Sequence, residues 1–173
     1  MNKAVAAPLT APEPLLICFS HLRWDFVVQR PHHLLTRAAK TCRVVYFEEP
    51  LHDDAIHTPQ LRQRSDASGV VIATPILPQG AANEAALLRG LLDRLIDAAP
   101  QEGLITWYYT PMALWFSAHL VPDVCVYDCM DELAAFANPP AGLTDLEDRL
   151  FDMADLVFTG GRSLYEAKKL RHT

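Results

Sequence analysis

Three carboxylates fall within five residues in the stretch VYDCMDE, at Asp128, Asp131 and Glu132. The apolar run before them, Val124–Tyr127, reads as a buried strand, so Asp128 and Asp131 stand where that strand ends. Carboxylates in such a place accept hydrogen bonds from hydroxyl groups, and charge-assisted bonds are the stronger kind. They also favour a cationic transition state. The competing role is to cap a helix that follows.

A second group lies in FSHLRWDFVVQRPHHLL, residues 19–35. It supplies Ser20, His21, Arg23, Trp24, Gln29, Arg30 and His33, and no glycine. Backbone without glycine does not readily wrap a pyrophosphate, which counts against a dinucleotide fingerprint. Polar side chains with a planar ring such as Trp24 suit a hydroxyl-rich ligand instead. Arg23 and Arg30 have an alternative use, pairing with acids such as Asp25 and Glu48. His32 and His33 open a helix, where packing or capping competes with a role in binding. A third group is TGGRS, Thr159, Gly160, Gly161, Arg162 and Ser163. Two glycines there open a helix after a strand, and the free N–H groups of a helix start can hold an anion. A tight turn capped by Ser163 is the competing reading.

These residues need elements to hold them. Apolar runs at Leu15–Phe19, Arg43–Phe47, Val70–Thr74, Leu104–Tyr108, Val124–Tyr127 and Leu156–Phe158 read as strands. Between them lie helices over Pro31–Lys40, Asn83–Ala99, a short stretch from Pro111, Thr144–Ala154 and Arg162–Arg171. Leu87, Leu88, Leu91, Leu92, Leu95 and Ile96 recur at helical spacing. Pro31 suits a first helical turn, and Thr144 with Glu147 forms a capping-box pair. Residues 50–69 are polar and show no period. The lysines and arginine of KKLR read as a solvated face. Strands alternating with helices imply parallel crossovers, and short apolar strands imply a sheet covered on both faces. The expectation is a Rossmann-like, doubly wound α/β fold with a mainly parallel sheet of about six strands. In such sheets ligands bind beyond the carboxyl ends of the strands. Those ends also present Glu48, Glu49, Tyr109 and Thr110.

The chain has 173 residues, half of them hydrophobic, enough for one domain with a substantial core. Its formal net charge of −6 argues against general nucleic-acid affinity. No apolar run approaches the roughly 20 residues of a membrane span. Residues 1–14 read as a flexible lead without a signal core, and a cytoplasmic location follows as an expectation. Of the four cysteines, Cys18, Cys42 and Cys125 fall in or beside apolar strands, as buried free thiols do. Cys125 and Cys129 have the wrong spacing for a zinc knuckle, so no metal site is expected.

FSHLRWDFVVQRPHHLL, VVYFEEP, VYDCMDELAAF and ADLVFTGGRSLYEAKK, in this order, resemble the N-terminal domain of bacterial two-domain glycosyltransferases of the GT-B fold. The group includes teichuronic-acid and capsule-type transferases, with roles in polysaccharide biosynthesis. The resemblance covers about residues 15–172. Val28 and His32 stand where relatives carry Trp and Gln. The resemblance implies a transferase moving a sugar from a nucleotide-sugar co-substrate, without cofactor or metal, to a glycan or lipid-linked acceptor. It places the acceptor on residues 15–173 and the donor on a C-terminal domain that is absent here. The chain stops about where the linker should begin, so it is expected to be a truncated form or gene fragment, inactive alone. By position, Asp128 and Asp131 match the loop that carries a catalytically important polar residue. Ser20 to Trp24 with Gln29 to His33 match the cleft loop, and Thr159 to Ser163 match the last element before the hinge. Peripheral association with the inner face of the membrane stays open. Two other classes also stay open: a non-catalytic flavodoxin-like binding or regulatory module, and a nucleotide-binding oxidoreductase domain.

Overall fold

The computed structural model describes residues 13–98, 102–133 and 139–172. Most of the lead expected over residues 1–14 lies outside them. Pro14 is already anchored, its carbonyl accepting from the Arg43 N–H at 2.9 Å.

The first strand, β1 (Leu15–Ser20), is buried throughout. Its alternate side chains feed two separate cores, as the period of a strand requires. Leu15, Ile17 and Phe19 join one core and Leu16 and Cys18 the other. The second face is covered by α1 (Arg30–Ala38), which starts with Pro31 in its first turn and sinks Leu35 into that core. β2 (Arg43–Glu48) lies parallel to β1, from Leu15 beside Arg43 to Ser20 beside Glu48. β5 (Val71–Pro78) lies parallel to β2.

Between β2 and β5 the chain forms two strands where no period was visible. β3 (Leu51–Asp53) continues the parallel pairing along β5, and β4 (Gln60–Ser65) runs antiparallel to β5. The sequence QLRQRS exposes Arg62 and Arg64, so β4 lacks the apolar run that marks a buried strand. Its backbone pairing supplies what its side chains do not advertise.

Next come α2 (Glu84–Asp97), β6 (Leu104–Tyr108), and a 3-10 turn, Pro111–Ala113, that passes into α3 (Leu114–Ser117). β7 (Val124–Cys129), α4 (Leu143–Met153), β8 (Leu156–Thr159) and α5 (Arg162–Lys168) complete the chain. The first core takes Leu92 of α2, Leu114 of α3, and Leu150 and Phe151 of α4.

The strand order is β3-β5-β2-β1-β6-β7-β8, with β4 against β5. All six expected strands are present and parallel, and β3 and β4 raise the count to eight. Setting those two aside, β5-β2-β1-β6-β7-β8 is the order of the classic dinucleotide-type sheet rather than the flavodoxin order. β8 closes the far edge with Leu156 and Phe158 exposed. No helix among the described residues is long and apolar enough to cross a membrane.

Two local expectations are corrected. α4 starts after Gly142, whose φ is +78°, with no side-chain cap from Thr144. Glu147 is instead buried, accepting from the Tyr127 hydroxyl at 2.8 Å and from Lys168 Nζ at 2.9 Å. Lys168 is consequently buried rather than solvated, and it also donates to Glu132 at 2.9 Å. These bonds fasten α5 to α4 and to the segment after β7.

Candidate functional site

The sheet reverses its winding between β1 and β6, which creates a crevice beyond their carboxyl ends. The β1–α1 loop lines that crevice, and side chains from other elements set its shape. Glu48, at the end of β2, accepts from the Trp24 N–H at 2.8 Å and from Arg23 Nη1 at 3.2 Å. Thr74 of β5 also donates to it at 2.7 Å. His32 accepts from the Gln29 N–H through Nδ1 at 3.0 Å. Its Nε2–H therefore donates to the Trp24 carbonyl, 2.7 Å away. Exposed Asp25 meets Arg64 of β4 at 2.5 Å. Ser20 is buried, with its Oγ 2.7 Å from the Tyr46 hydroxyl and accepting from the Leu22 N–H at 3.1 Å.

The Trp24 ring is closed to ligands. It is 6% exposed, with Tyr46 and His32 packed at ring-centre distances of 4.9 and 4.1 Å. The planar platform expected of Trp24 is therefore a core contact.

Across the crevice, Arg30 Nε donates to Asp128 Oδ2 at 3.1 Å, and Arg30 Nη2 stands 3.1 Å from Oδ1. Asp128 is fully buried. Burial raises its pKa, opposed first by the charge of Arg30 and then by the nearby Tyr109 hydroxyl and Trp107 indole. Neither of those two groups has a well-formed hydrogen-bond partner among the described residues, and neither does His21 Nδ1. Burial lowers the pKa of His21, against the charge of Asp131. His21, Trp107, Tyr109 and Asp128 thus bring buried donors and an acceptor with spare capacity to one side of the crevice. These atoms surround the Arg30–Asp128 pair below the surface.

On the other side lies a cavity of about 600 Å³. Ser20 and the ends of β2 and β6 form its base, and α2 and α3 form its sides. Phe19, Phe47, Leu88 and Phe116 make it apolar, while Glu48, Glu49, Thr110 and Glu84 supply its polar atoms. Trp115 stands at its mouth, 60% exposed. Of the site residues named from sequence, Ser20 alone reaches this cavity. Glu48, Glu49 and Thr110 were legible as strand ends. His52, Glu84 and Trp115 were not, because they come from β3, α2 and α3, which tertiary packing alone brings to the rim.

The remaining residues separate. Asp131 and His33 are exposed. Arg23 is committed to Glu48, as its alternative use foresaw, and donates also to the Glu49 carbonyl at 2.6 Å. Gln29 is the N-cap of α1. Thr159 ends β8, and Gly160, Gly161 and Ser163 follow it, all away from the cavity lining. Gly160 donates to the Cys129 carbonyl at 2.8 Å, and a Cβ there would meet the Met130 carbonyl oxygen. This glycine serves close packing of β8 on β7. Ser163 makes no capping bond, and α5 spans only seven residues.

These features define an α/β domain of Rossmann type with a side-chain-built crevice at its switch point. No family model and no curated protein matches the sequence. Among solved structures, one described as trehalose-6-phosphate from E. coli bound with UDP-2-fluoro glucose is similar, at 14% identity and a TM-score of 0.48. The likeness covers 83% of this chain, which spans 39% of the length of that one.

Proposed function

We propose that this chain is the acceptor-side domain of a two-domain glycosyltransferase, acting on a glycan or lipid-linked acceptor. One observation carries the reading: the basic side chains of the crevice are already committed, Arg23 to Glu48 and Arg30 to Asp128. What stays available is carboxylate: Asp131 is exposed beside His21, and a carboxylate accepts hydrogen bonds from hydroxyl groups. Such a surface favours a hydroxyl-rich molecule over a diphosphate. The reaction class comes from the resemblance of four sequence segments to GT-B enzymes.

In this reading a separate C-terminal domain holds the nucleotide-sugar, and transfer takes place between the two domains. Asp128 then works through Arg30. It fixes the guanidinium at the start of α1. Asp131, exposed beside His21, is the carboxylate free to meet a sugar directly. The Rossmann-type strand order weighs against the flavodoxin-like alternative. The glycine-free first loop weighs against an oxidoreductase.

Ligand binding to the purified chain tests the assignment. Saturation-transfer NMR should detect oligosaccharide binding, whereas titration calorimetry with UDP-glucose and NADH should show no tight site. Micromolar binding of either nucleotide would overturn the acceptor-side assignment.

A further inference from the structure

We propose that the cavity beneath Trp115 takes an apolar molecule carrying a cationic amine, and that Glu49 selects for its charge. A site of about 600 Å³ falls in the usual range for small-molecule pockets, which are mainly apolar with a few placed polar groups. The apolar part of this one is aromatic and aliphatic, from Phe19, Phe47, Leu88 and Phe116. Its ionisable groups are mainly acidic, with His52 the basic one. Three carboxylates line it, and no lysine or arginine does so among the described residues.

Two of those carboxylates are occupied. Glu48 holds Arg23, the Trp24 N–H and Thr74. Glu84 holds His52 at 2.8 Å. The Glu49 side chain has no hydrogen-bond partner among the described residues; only its backbone carbonyl is used, by Arg23. A carboxylate without a hydrogen-bond partner at the edge of an apolar cavity attracts a cation more strongly than it would in open water, and the nearby Arg23 charge offsets only part of that pull. Trp115 adds a second attraction, since an exposed indole face binds ammonium groups. The same carboxylates repel an anion. As a statement about the natural acceptor, the inference rests on the acceptor-side reading. As a statement about the cavity, it does not.

Three probes with one apolar body separate the possibilities: 2-phenylethylamine, 2-phenylethanol and 3-phenylpropionate. Binding to the purified chain is followed by indole NMR signals, with Trp115→Phe assigning the reporter. The amine should bind about tenfold more tightly than the alcohol, the difference expected of a charge-assisted bond. The carboxylate should bind weakest. Glu49→Gln should bring the amine down to the alcohol, and Ala85→Trp, which fills the mouth, should weaken all three. Circular dichroism verifies that both variants fold. The inference is overturned if no probe binds, if the carboxylate matches the amine, or if Glu49→Gln leaves the amine preference intact. Oligosaccharide binding without an amine preference would remove this inference and leave the acceptor-side reading standing. An amine preference without oligosaccharide binding would do the reverse.

Discussion

Asp128, next to last in β7, has no solvent contact, and burial keeps its pKa above the ordinary carboxylate value of 3.8 despite Arg30. The sign of its effect on stability follows. A raised acid pKa favours the folded state below that ordinary value, and the contribution is lost as pH climbs through the raised one. At neutral pH the charged form is therefore held against its own desolvation, as buried ion pairs often are. Asp128→Asn keeps the shape and removes the charge. Its unfolding free energy at neutral pH should match or exceed wild type, within about 1 kcal/mol, with a flatter pH profile at the acid end. A loss of several kcal/mol in urea unfolding would mean that the pair stabilises the fold outright. In a reconstituted two-domain enzyme the same variant should lose turnover, because Arg30 loses its anchor.

At the scale of elements, the joints of the C-terminal third are the most exposed to substitution. Gly160→Ala puts a methyl group 2.2 Å from the Met130 carbonyl oxygen. The backbone must shift, and thermal denaturation should report a loss of about 1–3 kcal/mol. Unchanged stability would mean that the β7–β8 joint is slack. Lys168→Met leaves buried Glu147 with Arg171, 3.1 Å away, as its cation and with the Tyr127 hydroxyl. Removing one partner of a buried pair costs about 3 kcal/mol at the low end, the end that the surviving arginine favours. Lys168→Met combined with Glu147→Leu should recover part of that loss, and an additive further loss would contradict the pairing. The sequence made such joints hard to read. Lys168 carries the same signature as the exposed Lys169 beside it, and only the packing of α5 on α4 separates them. Glu147 looked like a cap for the same reason: its spacing from Thr144 is local, whereas its partners Tyr127 and Lys168 are distant in the chain. Most of the parallel strands were legible because burial demands unbroken apolar runs, and β8 showed such a run although Leu156 and Phe158 are exposed. β4 was not legible, because an edge strand with exposed arginines needs no such run. Half of the cavity escaped notice in the same way, since Trp115 and Glu84 carry no motif.

For the whole molecule, the proposed division of labour makes a strong demand. Transfer needs donor and acceptor positioned together, and such positioning can lower a barrier by on the order of 7–11 kcal/mol. The purified chain should therefore turn over no nucleotide-sugar in a glycosyltransfer assay. Saturable turnover would show that a second domain is dispensable. The same sheet also treats its two margins differently. On one side β4 turns antiparallel and presents Arg62 and Arg64, so a foreign strand meets charge before it meets backbone. On the other side β8 is four residues long and leaves Leu156 and Phe158 in solvent. Strand addition between crowded chains is therefore expected at the β8 margin and not at β4: Leu156→Lys should lower light scattering of concentrated protein, and scattering that responds equally to a charge removed from Arg62 or Arg64 would contradict the asymmetry.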